Sequence, residues 1–230
     1  MIRVVGFDAD DTLWHDGRDF AALEAMIQAE IAAYVDPALV AEQMVSRHGR
    51  DLPLYGYGMK AYLLSVVETL AVVGGDQVPA SLFARIIAAG RDQLSRPVEL
   101  LPGVEQVLDA LGRRFRLVLI TKGDLLHQEQ KIQLSGLARH FDRIDIVSDK
   151  SAATYRRVFG AQSAGAPEAV MVGDSLRSDI LPALEAGALA LHVPQAVGWA
   201  HEAAPVPIDH PHYCQFDSVE RAADWLLSHR

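Results

Sequence analysis

The sequence predicts an α/β protein: a doubly wound, Rossmann-like parallel sheet with an all-helical domain inserted into it. Three observations predict this class. A short, β-branched segment stands at Ile2–Asp8, residues 15–96 show helical spacing, and short apolar segments then alternate with helical ones. Strands separated by helices are typical of a parallel sheet with helices on both faces. We therefore expect a core domain of residues 1–14 and 97–230, and a helical domain of residues 15–96.

The first strand and the insert are distinguished by their spacing. The strand is a short, mostly apolar run, which indicates burial on both faces of a sheet. In the insert, apolar residues such as Phe20 and Ile27 recur at helical intervals. Asp36 followed by Pro37 is typical of an N-cap with proline in the first helical turn. Two further periodic segments complete an insert made of helices.

Beyond Pro97 the chain alternates between helix and strand. A helix is predicted over "GVEQVLDAL", and further helices separate the strands that follow it. The predicted strands of this part are "RLVLIT", "RIDIVS", "AVMVG" and "ALALHV". The last helix is predicted at Val219–Leu227. The sheet thus takes one strand from before the insert and the others from after it.

Composition narrows the class of partner. The 230 residues carry a net charge of -9 and include a single cysteine, Cys214. Nucleic acids and anionic membranes favour basic patches, so this acidic balance argues against both and favours a small-molecule partner. No apolar run approaches the roughly 18–20 residues of a membrane helix, and one cysteine fits a reducing compartment. We expect a cytoplasmic location.

Reactive side chains stand where the predicted strands end, which is where open α/β sheets bind ligands. In chain order they are Asp8 and Asp10, then Thr121, Lys122 and Gly123, then Lys150, then Asp174 and Asp179. On an extended chain Asp8 and Asp10 point the same way, while Asp11 turns aside. Carboxylates crowded at one edge need a cation, and oxygen ligands favour Mg²⁺. A carboxylate beside such an ion can act as a nucleophile towards phosphorus.

Four motifs in these positions resemble those of the haloacid dehalogenase superfamily, in its phosphatase branch with a helical (C1-type) cap. "DADDTL" is similar to the first motif, the threonine of "LITKG" to the second, Lys150 to the third and "GDSLRSD" to the fourth. They occur in the family's order, each at or just beyond a predicted strand end. The resemblance spans nearly the whole chain and makes the insert a cap domain.

The resemblance implies a Mg²⁺-dependent phosphatase that hydrolyses a small phosphorylated metabolite through an aspartyl-phosphate. Asp8 would be the nucleophile, and Asp10 would protonate the leaving alkoxide and then deprotonate the hydrolytic water. Asp8, the main-chain carbonyl of Asp10 and Asp174 would hold Mg²⁺, with Asp179 in support. Dehalogenases of the superfamily resemble D-x-Y where this chain has D-x-D, which argues against dehalogenation.

The phosphoryl oxygens would be bound at the second motif. Thr121 would bind them together with nearby amide groups, which places Lys122 and Gly123 among the predicted phosphate-binding residues. Lys150 would offset the charge of the phosphoryl oxygens and of Asp8. The alternative for this lysine is Lys131. It falls inside a predicted helix, so we expect its side chain to be poorly directed towards the site.

The chain departs from the family pattern at two positions. Asp11 stands where phosphatase relatives often have glycine, and Ser151 stands where proline often follows the motif lysine. The first change bears on the turn after the first strand, and the sequence assigns Asp11 no role. The second bears on the assignment of Lys150, which we keep.

Three rival functions share parts of this pattern. A phosphomutase of the same superfamily stays open, because the sequence does not separate it from a phosphatase. A phosphoacceptor signalling domain is less favoured, because its phosphorylated aspartate precedes the threonine and lysine, whereas Asp174 follows both here. A calcium-binding loop over "DADDTLWHDGRD" would need glycine and glutamate where the chain has Leu13 and Asp19.

Overall fold

The structure, a computed structural model, describes residues 1–162, 164–196 and 202–228. The chain divides into two compact units. The first consists of Met1–Gly17, Val98–Lys122 and Gln128–Arg230, and the second of Arg18–Pro97 with Gly123–His127. Along the described parts of the chain, none of the helices has the length and apolar character needed to cross a membrane.

The first unit contains a six-stranded sheet in which every neighbouring pair is parallel. Its strands are β1 (Val4–Phe7), β2 (Arg116–Lys122), β3 (Arg143–Val147), β4 (Ala169–Gly173), β5 (Leu189–His192) and β6 (Tyr213–Gln215). Their order across the sheet is β3-β2-β1-β4-β5-β6. This arrangement confirms the predicted α/β class with a parallel, doubly wound sheet.

Nine α-helices are found among the described residues. They are α1 (Gly17–Ile31), α2 (Pro37–Tyr55), α3 (Met59–Val73), α4 (Ala80–Leu94), α5 (Val104–Gly112), α6 (Leu125–Ser135), α7 (Ala152–Gly160), α8 (Leu181–Ala186) and α9 (Val219–Ser228). A π-helical turn, Leu176–Ile180, leads into α8. As predicted, α2 begins with Asp36 as its N-cap, whose carboxylate accepts a hydrogen bond from the N–H of Ala38.

The central position of β1 places its carboxyl end at the middle of the sheet. Phe7, its last residue, is in register with Leu119 of β2 on one side and Val172 of β4 on the other. The chain connections diverge from β1 in opposite directions across the sheet, and such a point forms a crevice at the carboxyl ends of the strands. The residues that follow β1 are therefore presented to that crevice.

Both faces of the sheet are buried, as the apolar composition of the strands predicts. Alternate residues of β1 contribute to separate apolar clusters: Phe7 packs in one with Leu111 of α5, and Val4 in the other with Phe159 of α7. Gly6 lies under Phe159, and a Cβ at this position would come within 3.1 Å of its ring. Strands covered on both faces provide a rigid base for the residues at their ends.

One strand lies where the sequence predicts none. β6 has three residues, Tyr213–Gln215, and forms the edge of the sheet beside β5. Its side chains are half-buried or exposed, so it lacks the continuous apolar run that marks β1 and β4. The sequence that follows "DHPH" therefore has no clear pattern of a strand, although it forms this short edge strand.

The second unit is helical and has an apolar interior of its own. Phe20 of α1 packs edge-to-face against Tyr62 of α3 with ring centroids 4.6 Å apart, and Leu70 is fully buried. The helices α3 and α4 approach closely at Gly90, where an added Cβ would come within 2.2 Å of the Leu63 side chain. The amphipathic spacing of the insert thus corresponds to helices packed on one another.

Candidate active site

The site lies at the carboxyl ends of β1, β2 and β4. Asp8 follows β1 directly, and its backbone N–H donates a 2.9 Å hydrogen bond to the carbonyl of Val172 in β4. Thr121 and Lys122 are the last residues of β2, and Asp174 follows β4. The parallel strands therefore present these residues at one edge, as the sequence predicts.

Asp8, Asp174 and Asp179 form an acidic cluster in which one carboxylate oxygen from each lies within 4.8 Å of the others. The Lys150 ammonium lies between two of them, donating to Oδ1 of Asp8 and, at 2.7 Å, to Oδ1 of Asp179. Asp179 is fully buried and lies against Gly173, where a Cβ would come within 2.4 Å of its carboxylate. Glycine at this position thus allows Asp179 to reach the cluster.

The protonation equilibria of the cluster reflect its excess of negative charge. Burial, together with the nearby carboxylates of Asp179 and Asp10, raises the pKa of Asp8 to about 7, although Lys150 opposes the shift. Burial and the charge of Asp8 raise the pKa of Asp174 well above its ordinary range. Burial disfavours charged Lys150, but the carboxylates of Asp179 and Asp8 outweigh it and raise the pKa of the ammonium.

The cluster fits a hard divalent cation. Three carboxylates face one ammonium in a buried setting, so further positive charge would relieve the cost of their ionisation. Their donor atoms are all oxygen, the ligand type preferred by Mg²⁺ and similar ions. Asp8, Asp174 and Asp179 are the residues that could hold such an ion through their side chains.

Asp10 is held by a separate set of donors. Its Oδ1 accepts hydrogen bonds from Nε1 of Trp14 and Nζ of Lys131, each at 2.6 Å, and its Oδ2 accepts from Nε2 of Gln128 at 2.9 Å. Lys131 also donates to Oδ1 of Asp16 at 2.9 Å. Burial of Asp10 favours its protonated form, but Lys131 and the other donors outweigh burial and lower its pKa.

The expectation that the Lys131 side chain is poorly directed towards the site is wrong. Its helix, α6, begins shortly after β2 and directs the side chain inward, so that the residue is 9% exposed. It contacts Asp10, whereas Lys150 contacts Asp8, so the two lysines serve different carboxylates. A helical lysine can reach a distant group because its four-carbon stem packs along apolar surface.

Asp11 has a structural role that the sequence did not reveal. Its φ of 59° lies in the left-handed region that favours glycine, the residue expected there. Its carboxylate accepts hydrogen bonds from the backbone N–H groups of Asp16, at 3.0 Å, and Gly17, at 2.8 Å. Asp11 therefore tolerates a strained turn and satisfies donors at the start of α1.

The predicted phosphate-binding residues differ in their surroundings. Thr121 is buried, and its Oγ1 accepts a 2.6 Å hydrogen bond from Nε2 of Gln128. Lys122 donates to Oγ of Ser178 and to Oε1 of Glu202, each at 2.5 Å. Gly123 has φ 147° and belongs to the second unit. Thr121 and Lys122 thus lie at the predicted edge of the sheet.

Several residues of the site were not predicted from the sequence. Gln128 connects Asp10 with Thr121, and it stands three residues before Lys131 on the same helix. Such a polar pair, on a helix that directly follows a strand-end threonine, is a signal that could have been used. His192, at the end of β5, places Nε2 2.9 Å from the carbonyl of Asp174 and donates to it, since a carbonyl only accepts.

Comparisons with known proteins agree with this fold. The haloacid dehalogenase-like hydrolase family matches residues 2–187 of the chain. A haloacid dehalogenase-like family hydrolase from Xanthomonas campestris is 34% identical, with a TM-score of 0.87 over 99% of this chain and 95% of that one. The resemblance to this superfamily is therefore confirmed.

Two further comparisons concern a phosphatase and a dehalogenase. N-acylneuraminate-9-phosphatase of Mus musculus is 29% identical over 132 residues, which cover 54% of this chain and 51% of that protein. The chain thus spans about half the length of the curated relatives it matches. A 2-haloacid dehalogenase from Pseudomonas syringae pv. tomato covers 99% of both chains at 21% identity and a TM-score of 0.66, a likeness of fold alone.

Proposed function

The chain belongs to the haloacid dehalogenase-like hydrolases, and on this premise we propose that it is a Mg²⁺-dependent phosphatase acting on a small phosphorylated metabolite. The observation that carries the proposal is the separate placement of two neighbouring carboxylates. Asp8 lies with Lys150 in the acidic cluster, while Asp10 is held by Lys131 and Gln128. One carboxylate is thus arranged for attack and the other for proton transfer. Curated relatives of the chain are phosphatases, which supports the same reaction.

In the first step a carboxylate oxygen of Asp8 attacks phosphorus, and the bond from phosphorus to the ester oxygen breaks. The leaving alkoxide takes a proton from Asp10, and an aspartyl-phosphate forms on Asp8. Lys150, hydrogen-bonded to Asp8 and Asp179, orients the nucleophile and offsets charge on the phosphoryl oxygens. The hydroxyl of Thr121 binds one of those oxygens.

In the second step Asp10 takes a proton from a water molecule, whose oxygen attacks phosphorus. The bond between phosphorus and Asp8 breaks, and inorganic phosphate leaves. Lys131 lowers the pKa of Asp10 and so keeps its carboxylate ionised, the form that can accept a proton from water. When Asp10 carries the proton instead, the Lys131 ammonium retains Asp16 as a partner. The network thus provides charge compensation for both protonation states of Asp10.

The proposed Mg²⁺ would be held by Asp8, Asp174 and Asp179, with the Asp10 carbonyl as a further ligand. When bound, it supplies positive charge to the phosphoryl oxygens. His192 fixes the backbone at Asp174 through its hydrogen bond to the carbonyl of that residue. From the sequence resemblance, we also propose that the helical unit is the family's cap and that Gly123 is a phosphate-binding residue.

The test is a phosphate-release screen over a panel of phosphorylated metabolites with Mg²⁺, using wild type and Asp8→Asn. We expect release by wild type and none by Asp8→Asn, whose circular dichroism should match that of wild type. Isomerised sugar phosphate without free phosphate would identify the phosphomutase alternative. A stable phosphoprotein without turnover would instead identify a phosphoacceptor domain. Full activity of Asp8→Asn would overturn the mechanism.

A further inference from the structure

Three donors at the edge of the site converge on one carboxylate of the chain itself. Oε1 of Glu202 accepts from Nζ of Lys122 at 2.5 Å, and Oε2 accepts from Oγ of Ser175 and Oγ of Ser178, also at 2.5 Å. Both oxygens are thus bound, by one ammonium and two hydroxyls. A cation with flanking hydroxyls is a donor set suited to a carboxylate.

The donors are fixed by their own contacts. Oγ of Ser175 also accepts a 3.0 Å hydrogen bond from the backbone N–H of Ser178, which holds the two serines together. The carbonyl of Ser178 accepts from the hydroxyl of Tyr155 at 2.8 Å. Both serines are buried, at 9% and 6% exposed. The two serines are therefore held by contacts that do not involve Glu202, and Nζ of Lys122 is hydrogen-bonded to one of them.

This donor set adjoins the reactive carboxylates. Lys122 ends β2 and Ser178 follows β4, the two strands that flank β1 and Asp8. Ser178 is next in sequence to Asp179, which shares Lys150 with Asp8. One small molecule can therefore present its phosphoryl group to Asp8 and a second group to these donors.

We propose that Lys122, Ser175 and Ser178 form a carboxylate-binding subsite, which Glu202 fills in the substrate-free protein and a carboxylate of the substrate fills during turnover. The inference rests on the proposed phosphatase function and narrows its substrate class to phosphate esters that also carry a carboxylate. Exchange of one carboxylate for another leaves the charge beside Lys122 unchanged. A phosphoryl group would instead place roughly two negative charges beside Lys122 at neutral pH.

The test compares D-3-phosphoglycerate with glycerol 3-phosphate, which differ only in bearing a carboxylate or a hydroxymethyl group. Dissociation constants are measured by calorimetry with Mg²⁺ on Asp8→Asn, so that turnover does not intervene. We expect D-3-phosphoglycerate to bind more tightly. Adding Lys122→Met should reduce this preference about tenfold, and adding Glu202→Gln should increase it several-fold, because the internal competitor loses its charge.

The control is Glu105→Gln, which removes the same charge from an ion pair with Arg139 elsewhere in the first unit and should leave the preference unchanged. If Lys122→Met weakened the binding of both ligands equally, the subsite would be overturned and Lys122 would be assigned to the phosphoryl group. An unchanged preference in both subsite variants, or no binding of either ligand, would also overturn it.

Hydrolysis of p-nitrophenyl phosphate by wild type separates this inference from the function on which it rests. In one outcome the ester is cleaved while the preference for D-3-phosphoglycerate is unchanged by substitution of Lys122 and Glu202. That result would disprove the carboxylate subsite and leave the phosphatase function supported. If the ester is not cleaved although the preference shifts as expected, the proposed function fails while the carboxylate site remains.

Discussion

Nζ of Lys131 lies 2.6 Å from Oδ1 of Asp10, so a buried ammonium is bound directly to the proposed acid and base. The same ammonium contacts Asp16 at 2.9 Å. In the family pattern carried over from the sequence, the lysine with an assigned role is Lys150. The structure therefore adds a second lysine whose contribution can be separated from that of the first.

Lys131→Met should slow the second step more than the first. Without the cation, burial raises the pKa of Asp10, so a smaller fraction of the residue is ionised and able to accept a proton from water, while it still carries a proton for the leaving group. We expect kcat to fall about 10–100-fold, up to the lower limit of general acid–base effects, because Lys131 acts through Asp10. The measurement is a stopped-flow burst of p-nitrophenol approaching one equivalent per enzyme.

Lys131→Arg is the matched control, since it keeps the charge and should retain more activity than Lys131→Met. An unchanged kcat in Lys131→Met, with no burst, would show that the contact with Asp10 does not influence the reaction.

Asp10→Ala should discriminate between leaving groups. An alkyl phosphate releases a strongly basic alkoxide that needs a proton, whereas p-nitrophenolate leaves readily without one. We expect the rate of aspartyl-phosphate formation to fall at least about 100-fold for alkyl esters, and much less for p-nitrophenyl phosphate. Single-turnover rates over a series of esters would measure the dependence. Equal losses across the series would argue against the acid role.

Mg²⁺ should stabilise the protein increasingly as pH rises. The pKa of Asp8 is raised from an ordinary value of about 4 to about 7, so its protonated form stabilises the metal-free fold below about pH 4. This stabilisation is lost as pH rises through 7, and the raised pKa of Asp174 acts in the same direction. Because Mg²⁺ binds ionised carboxylates, the gain in Tm on adding it should grow from pH 5 to pH 8.

Differential scanning fluorimetry with Mg²⁺ or with chelator measures this gain. At 100 times its Kd a ligand stabilises by about 2.7 kcal/mol. The variant Asp174→Asn should lose most of the effect. A gain in Tm that is independent of pH, or that is retained in Asp174→Asn, would contradict the assignment of the acidic cluster to the metal.

Substitutions at Asp11 should separate backbone strain from hydrogen bonding. Asp11→Ala keeps the left-handed backbone but loses the bonds to the N–H groups of Asp16 and Gly17, so we expect a loss of about 1–2 kcal/mol. Asp11→Gly loses the same bonds but relieves the strain and should be about 1 kcal/mol more stable than Asp11→Ala. Urea denaturation gives both values.

Asp11→Asn retains an acceptor and should stay within about 1 kcal/mol of wild type. If Asp11→Ala were as stable as wild type, the hydrogen bonds at the start of α1 would have no measurable effect.

The sequence predicts the parts of this protein that depend on local pattern. β1 and β4 are short apolar runs buried on both faces, and Asp8 and Asp174 directly follow them, so the sequence pattern places these two residues at strand ends. β6 was missed because an exposed edge strand needs no apolar run.

The remaining site residues depend on tertiary structure. Lys131 acts through the reach of a long side chain on α6, and Glu202 is 80 positions from the lysine it binds. No local pattern encodes such contacts, because they depend on how α6 and the segment after β5 pack. The role of Asp11 needed the backbone angle, which composition does not reveal.

The central position of β1 also constrains how the protein can be made on the ribosome. β1 is synthesised well before its partners, because β2 and β4 begin only at Arg116 and Ala169. The helices α1–α4 are complete before either partner emerges, and with their own apolar interior they can begin to fold first. Asp8 is therefore synthesised long before the acidic cluster is complete, which happens only after Asp179 is added.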